Sequence, residues 1–165
     1  METQEQVKDM VRQKYSVIAL QDKDTNAASC CGAGGCSTEV YNIMADDYTT
    51  LVGYNPDADL GLGCGLPTQF AKIKKGDVVI DLGSGAGNDA FIARNETGET
   101  GKVIGIDFTP AMIERARQNN EVRGFNNVEF RQGDIEKMPV TANTADVIVS
   151  NCVLNLVPNK DGVIK

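Results

Sequence analysis

The chain of 165 residues contains no histidine and no tryptophan, and aromatic residues make up only 5% of it. Without an imidazole, mechanisms that use histidine as a general base, a nucleophile or a metal ligand are excluded. No apolar run approaches the roughly 20 residues that a membrane-spanning helix needs. Residues 1–20 carry scattered charges rather than the apolar block of a signal peptide. These absences predict a cytoplasmic protein without a membrane partner.

Positive charge is also scarce, since 16 Lys and Arg residues stand against 23 Asp and Glu residues, a formal net charge of −7. A sequence-independent nucleic-acid binder needs a basic face to neutralise phosphates, so this balance argues against nucleic acid as a partner. The 41% of hydrophobic residues is enough for the core of one domain. Five cysteines without an export signal disfavour a disulfide framework and favour thiol chemistry or a soft-ion site.

The hydrophobic pattern divides the chain into two parts. Residues 3–20 predict an amphipathic helix that begins with a capping-box pattern, and a loop rich in glycine and cysteine follows over 27–38. We expect this helix and arm to occupy residues 1–65 and an α/β domain to occupy residues 66–165. In the second part, apolar strand runs alternate with helical segments, which is typical of βαβ units and a parallel sheet. The expected segments are a short helix over 66–76, a helix over 109–124, and strands from Asp77, over 102–107, over 127–134 and within 145–157.

A glycine turn, Asp81 to Gly87, follows the first expected strand and opens a helix. Glycines at such a turn let the backbone approach a ligand closely, and the helix N-terminus offers free N–H groups. Asp107 ends the next strand, where a carboxylate can accept both hydroxyls of a ribose. Asn88 occupies the place of the third small residue in the dinucleotide fingerprint, which disfavours a dehydrogenase.

The glycines instead run G-x-G-x-G with an acid two residues before the first, and this resembles motif I of the class I S-adenosylmethionine-dependent methyltransferases. The segment 132–135 is similar to a second motif of these enzymes, in which an aspartate and the next backbone N–H bind the adenine edge. The resemblance implies a doubly wound, Rossmann-like α/β fold with S-adenosyl-L-methionine as cofactor. An unrelated doubly wound domain with a glycine turn is the alternative. The cofactor contacts that the resemblance implies are Asp81, Gly83, Ser84, Gly85, Gly87, Asp107, Phe108, Asp134, Ile135 and Asn151.

Two cysteine segments extend the resemblance to a particular family. Gly61-Leu62-Gly63-Cys64-Gly65-Leu66-Pro67 precedes the first strand, and Ser150-Asn151-Cys152-Val153-Leu154-Asn155-Leu156 ends the fourth. With segments 28–32 and 105–110, they closely resemble the arsenite S-adenosylmethionine methyltransferases over nearly the whole chain. The resemblance implies that Cys64 and Cys152 are the catalytic arsenic(III) ligands, with Cys30 and Cys31 as further candidates. Arsenic(III) is soft and thiophilic, and its lone pair can attack a sulfonium methyl without a general base.

The implied function is methyl transfer from S-adenosylmethionine to thiolate-bound arsenite or methylarsenite in arsenic detoxification, with a thiol reductant as partner. Two alternatives stay open. One is a class I methyltransferase for another small molecule, in which the cysteines are structural, because a cysteine in an apolar strand is most often a core residue. The other is a non-catalytic, thiol-rich module that binds arsenic or a soft metal. For Cys30, Cys31 and Cys36, the alternative to a ligand role is an oxidation-prone arm or a zinc site that needs a fourth ligand.

In that family, further strands and a C-terminal region with a third arsenic-binding cysteine follow the fourth strand. For the present sequence we therefore expect an incomplete domain, truncated after about four strands, with the spatial order 3-2-1-4. Strand four would then be an edge, and the segment 147–157 is apolar along its length. An uncovered apolar edge invites pairing with another chain, so we expect self-association through this strand.

Overall fold

The computed structural model describes residues 3–23, 25–26, 47–62 and 65–163, and it begins with the expected helix, α1, Gln4–Ile18. Thr3 Oγ1 accepts a hydrogen bond from the Gln6 N–H at 3.3 Å, and the Thr3 N–H donates to the Gln6 side-chain oxygen at 2.8 Å. The predicted capping box is therefore formed. Ile18 is buried at the end of the helix, whereas Met10 is 50% exposed.

Four parallel strands form the sheet of the described residues, and their order, β3-β2-β1-β4, is the predicted one. Ile80 at the centre lies opposite Ile104 on one side and Ile148 on the other. Because every pair is parallel, the carboxyl ends of all four strands lie along one edge, where α/β sheets bind their ligands. The strands are β1, Val78–Leu82; β2, Lys102–Asp107; β3, Val128–Gln132; and β4, Val147–Ser150.

Four further helices flank the sheet, and two of them connect consecutive strands. They are α2, Pro67–Phe70; α3, Asn88–Thr97; α4, Pro110–Arg123; and α5, Lys160–Val163. Helix α4 matches its predicted limits, with Pro110 in the first turn and Gly124 at φ 67° after the end. Thr109 stands at the N-cap, but its hydroxyl makes no capping hydrogen bond. Helix α2 is shorter than the predicted 66–76 segment.

The core consists of two apolar layers, one on each face of the sheet. On one face, Val79 and Val103 pack with Phe91 of α3 and Met112 of α4. Phe91 is fully buried, and its ring meets Phe130 edge-on at a centroid distance of 5.8 Å. On the other face, the packed residues are Ile80, Leu82, Ile104, Ile106, Ile135 and Val163. Strands buried on both faces explain why the strand runs are apolar throughout rather than alternating.

Arg115 of α4 anchors the N-terminal part of the chain to this core. Its guanidinium donates to the carbonyls of Ala19 at 2.7 Å, Gln21 at 2.8 Å and Asp57 at 3.1 Å. One side chain therefore holds both the end of α1 and the 47–62 segment. No helix among the described residues has the length and apolarity to cross a membrane.

Strand β4 lies at the edge of the described sheet, as predicted. It pairs with β1, and Ile148 is 54% exposed.

Candidate functional site

The glycine turn after β1 is shaped by residues that admit no side chain. Gly83 and Gly87 have left-handed φ angles of 74° and 101°. A Cβ on Gly83 would lie 2.1 Å from a Val153 methyl, and one on Gly87 would lie 2.7 Å from the Phe130 ring. Only glycine fits at these two positions. At Gly85, by contrast, nothing lies within 4 Å of the place of a Cβ, so the turn opens there onto free space.

That space belongs to a cleft of about 1120 Å³, counting the part open to solvent. Cys152 lines it at the end of β4, while buried Asp81 and Gly87 are not among its lining residues. Eight of the ten predicted cofactor residues line it: Gly83, Ser84, Gly85, Asp107, Phe108, Asp134, Ile135 and Asn151.

Asp107, at the end of β2, is 8% exposed and oriented by backbone donors. Its Oδ2 accepts from the Gly85 N–H at 3.1 Å, and its Oδ1 accepts from the Thr109 N–H at 2.8 Å. Burial raises the pKa of Asp107, and these two N–H groups oppose that shift. Because each carboxylate oxygen can accept more than one hydrogen bond, Asp107 retains acceptor capacity for a ligand.

Asp134, after β3, is paired with a lysine that the sequence did not single out. Lys8 of α1 donates to Asp134 Oδ2 at 2.6 Å and to Glu136 Oε2 at 2.7 Å. Although burial opposes the shift, the hydrogen bond from Lys8 lowers the pKa of Asp134. Arg12 of the same helix lies 5.5 Å over the Phe108 ring. Helix α1 therefore forms one wall of the cleft.

Two neighbouring carboxylates have oxygens without a partner. Asp81 is 2% exposed, and its Oδ2 accepts no hydrogen bond. Asp89, in the first turn of α3, lines the cleft, and its Oδ1 is likewise buried without a partner. Burial raises the pKa of both carboxyls, and for Asp81 the charges of Asp89 and Asp107 add to the effect.

Asn151, at the end of β4, is engaged within the protein. Its Nδ2 donates to the Gly65 carbonyl at 2.9 Å, to Asp89 Oδ2 at 3.0 Å and to the Tyr48 hydroxyl. That hydroxyl lies 2.6 Å from the same Gly65 carbonyl, and it also reaches Asp89 Oδ2 at 3.3 Å. Tyr48 is buried, which raises its pKa. This network joins β4, α3 and the chain before α2.

Cys152 has a backbone conformation that non-glycine residues seldom adopt, with φ 57°. Such strain persists where the surrounding structure imposes it, and it is concentrated at functional sites. Cys152 is disulfide-bonded, although the cysteine content of the sequence disfavoured a disulfide framework. A disulfide requires a second cysteine beside it, and spacing along a sequence does not reveal such proximity.

The other predicted arsenic ligands, Cys30, Cys31 and Cys64, lie outside the described residues, as do Cys36 and the 27–38 loop. Within the described part of the chain, no three Cys, Asp or Glu side chains come together to hold a metal ion.

Comparisons with known proteins agree with this geometry. Residues 73–165 match the family model of a methyltransferase domain. The chain is 42% identical to an arsenite methyltransferase of Halobacterium salinarum, over 96% of this chain and 43% of that protein. It is 30% identical to an arsenite methyltransferase of Aquipseudomonas alcaligenes, over 94% of this chain and 44% of that protein. The chain therefore spans less than half the length of these curated relatives.

Among solved structures, an arsenic(III) S-adenosylmethionine methyltransferase from Chlamydomonas reinhardtii is similar, with a TM-score of 0.56 at 40% identity. The match covers 62% of this chain and 36% of that one.

Proposed function

The chain belongs to the methyltransferase domain family, and on that premise we propose that it transfers a methyl group from S-adenosylmethionine to arsenic(III) held by cysteine thiolates. The observation that carries the proposal is the extent of the resemblance to arsenite methyltransferases. It covers 96% of the chain and so includes the cysteine-bearing N-terminal part as well as the cofactor domain.

The cleft suits S-adenosylmethionine, which supplies an electrophilic methyl group on a sulfonium when bound. The open space at Gly85 receives its amino-acid end, and the remaining acceptor capacity of Asp107 serves the ribose hydroxyls. Asp134 and the Ile135 N–H serve the adenine edge. Lys8 and the adenine edge would then both donate hydrogen bonds to Asp134. The Lys8 ammonium has Glu136 as a second acceptor.

Cys64 and Cys152 hold the arsenic in this proposal. Gly65 and Asn151 are their immediate sequence neighbours, and a hydrogen bond of 2.9 Å joins these two residues. The disulfide at Cys152 further supports a cysteine partner close by. Two molecules of a thiol reductant would convert a protein disulfide into two thiols and leave as one oxidised disulfide. The resulting thiolates are soft ligands for arsenic(III).

No general base is needed in this reaction, because the arsenic lone pair is the nucleophile. That agrees with a chain that contains no histidine. The protein's contribution is then to place the thiolate-bound arsenic in line with the methyl group.

The proposal is tested by titrating trivalent arsenicals against the reduced chain and against Cys64→Ser, Cys152→Ser and the control Cys36→Ser. We expect both site variants to lose at least tenfold in affinity, because one of two thiolate bonds is lost, while the control keeps its affinity. Binding of S-adenosylmethionine, measured by calorimetry in parallel, identifies the alternatives. Cofactor binding without cysteine-dependent arsenic binding would indicate another small-molecule substrate, and arsenic binding without the cofactor would indicate a sequestering module.

The same titration addresses the valence of the substrate. Methylarsenite has two exchangeable ligands, and two thiolates can replace both of them. Arsenite has three exchangeable ligands. Recruiting a third thiol from the glycine-rich arm would cost roughly 1–2 kcal/mol of backbone entropy per ordered residue. Methylarsenite should therefore bind more tightly than arsenite, and equal or tighter binding of arsenite would refute the two-thiolate site.

A further inference from the structure

We propose that Tyr48 is a positioning residue for Cys152. Through Asn151, the Tyr48 hydroxyl holds the Cys152 thiol where the proposed function requires an arsenic ligand, so the proposal rests on that function. All three residues line the same cleft, although Tyr48 and Asn151 are 103 positions apart along the chain.

The Tyr48 ring is fixed by apolar packing. The residue is 7% exposed, and it belongs to a small buried cluster with Leu66 and with Ile92 of α3. It begins the 3₁₀ turn Tyr48–Thr50, which the side chain of Asp47 caps. Side chains that are closely packed in a protein interior occupy a single rotamer. The packing therefore presents the Tyr48 hydroxyl in one place.

That hydroxyl connects Asn151 to two other parts of the chain. It accepts a hydrogen bond from the Asn151 amide and donates to the Gly65 carbonyl at 2.6 Å. The Asn151 amide also donates to the same carbonyl at 2.9 Å and to Asp89 Oδ2 at 3.0 Å. Burial raises the pKa of Tyr48, and the charge of Asp89 adds to the shift, so the hydroxyl keeps its proton at neutral pH. The Asn151 side chain is therefore held against α3 and against the chain before α2.

Cys152 lies between two residues that are held independently. Before it, Asn151 is held by the hydrogen bonds described above. After it, Val153 packs so closely on the glycine turn that a Cβ on Gly83 would lie 2.1 Å from one of its methyls. Cys152 itself has a left-handed φ of 57°. Such a conformation persists only where the surroundings determine the backbone, and the two held neighbours supply that constraint.

The backbone of Cys152 determines where its Cβ lies, and hence from which direction its sulfur enters the cleft. The hydrogen bonds around Asn151 join only nitrogen and oxygen atoms, so reduction of the Cys152 disulfide leaves their donors and acceptors in place. A thiolate that is already in place loses less freedom when an arsenical bound to one thiolate closes on the second. Tyr48 therefore increases the affinity of the two-thiolate site through Asn151.

The test uses reduced chains in which the three cysteines of the 27–38 loop are serine, so that Cys64 and Cys152 are the remaining thiols. Methylarsenite exchanges two ligands and needs both thiolates, whereas dimethylarsenite exchanges one ligand. Tyr48→Phe keeps the ring and removes the hydroxyl. We expect it to bind methylarsenite about threefold to tenfold more weakly, as for one lost hydrogen bond. The affinity for dimethylarsenite should stay unchanged, because a single thiolate suffices for it.

Tyr54→Phe is the matched control. Tyr54 packs against the same small cluster, and its hydroxyl donates to Asp59 Oδ2 at 2.9 Å, so this variant loses the same kind of hydrogen bond elsewhere. It should leave both affinities unchanged. In a Cys152→Ser background, Tyr48→Phe should cause no further loss of methylarsenite affinity, because the second thiolate is already absent. Thermal unfolding verifies the fold of each variant.

The backbone of Cys152 provides a readout without arsenic. The NMR chemical shift of its Cα depends on φ and ψ. In the reduced chain, we expect this shift to change in Tyr48→Phe and to keep its wild-type value in Tyr54→Phe. A purely structural role of Tyr48, seen only as lower thermal stability, would leave the shift in the folded chain unchanged.

Three results for Tyr48→Phe would overturn the proposal: an unchanged affinity for methylarsenite, an equal loss for dimethylarsenite, or an unchanged Cα shift of Cys152. Failure of the proposed function has a different signature. Cys152→Ser would then bind methylarsenite as tightly as the chain with both thiols, and the Cα shift would still show whether Tyr48 positions Cys152.

Discussion

The backbone conformation at Cys152 favours glycine, whereas the proposed chemistry requires a cysteine thiol. A left-handed φ destabilises a residue with a Cβ by about 1–2 kcal/mol. Cys152 adopts such a φ, 57°, just after β4, where the chain reaches the cleft. Glycine would relieve the conformation, but it would remove the only cysteine thiol that the described residues bring to the cleft.

We therefore predict that Cys152→Gly is more stable than Cys152→Ala under reducing conditions, by about 1 kcal/mol. Both variants lack the thiol and the disulfide, so the comparison isolates the effect of a Cβ at this φ. Urea unfolding of the two reduced variants measures the difference in free energy of unfolding. Equal stabilities would show that the position tolerates a Cβ without strain.

Single residues of the site were predictable where a motif fixes both a residue type and its place. Gly83 and Asp107 belong to such a motif, and both line the cleft at the ends of their strands. Lys8 and Tyr48 were not predictable, because each reaches the cleft through tertiary packing from far along the chain. Asp89 stands next to the motif, but the sequence gives no sign that one of its oxygens is buried without a partner.

Strand β4 is the element that we expect to control self-association in solution. It ends the described sheet and presents an exposed Ile148, at 54%, on an unpaired edge. Edge strands with apolar side chains and free backbone groups pair with other chains unless charge or bulges prevent it.

We predict that the chain self-associates through β4 and that Ile148→Lys abolishes the association. A lysine on the edge opposes pairing with a second copy. Light scattering across a concentration series should show an apparent mass that rises for the wild-type chain and stays constant for this variant. Val122→Lys is the control, since Val122 is 88% exposed on α4, away from the edge, and this variant should behave as wild type. A wild-type mass that stays monomeric throughout would contradict the prediction.

At the level of elements, the sequence indicated the β-strands and α4 well, because burial on both sheet faces and terminal proline and glycine leave clear signals. It said little about residues 39–63. Part of that segment forms a single 3₁₀ turn, Tyr48–Thr50, which is too short for any hydrophobic period. No pattern in the sequence therefore indicated that Tyr48 belongs to the site.

For the whole molecule, the buried carboxylates set the dependence of stability on pH. Burial, then Asp89 and Asp107, raise the pKa of Asp81 well above that of an unfolded aspartate. Between those two pKa values the folded chain binds more protons than the unfolded chain, so the free energy of unfolding falls as pH rises. Asp81→Asn should remove this loss and stabilise the ligand-free chain at neutral pH.

Urea unfolding from about pH 3 to pH 8 measures this slope in the wild-type chain and in Asp81→Asn. Glu129→Gln provides a control of opposite sign. Hydrogen bonds from Arg131 and Lys102 lower the pKa of Glu129 to about 2, so its stabilisation is lost only as pH falls. A slope that is unchanged in Asp81→Asn would contradict the burial of a charge at this position.

The parallel sheet was predictable from the alternation of strands and helices, and its strand order from the resemblance to the methyltransferases. The set of residues that line the cleft was not predictable from the sequence. The sequence divides naturally into an arm and a cofactor domain, yet the cleft takes Lys8 and Tyr48 from the first part and Asp134 and Asn151 from the second. Hydrogen bonds between such distant segments leave no trace in local periodicity.

The ion pair between Lys8 and Asp134 joins residues 126 positions apart, and Arg115 reaches back 96 positions to Ala19. Closing loops of that length costs chain entropy before any contact repays it, and such contacts form late in folding. The sheet and its crossover helices, whose contacts are more local, provide the surface on which α1 docks. We therefore expect helix α1 to complete the cleft last, and a nascent chain to gain its full capacity to bind the cofactor only after the segment around Asp134 has been synthesised.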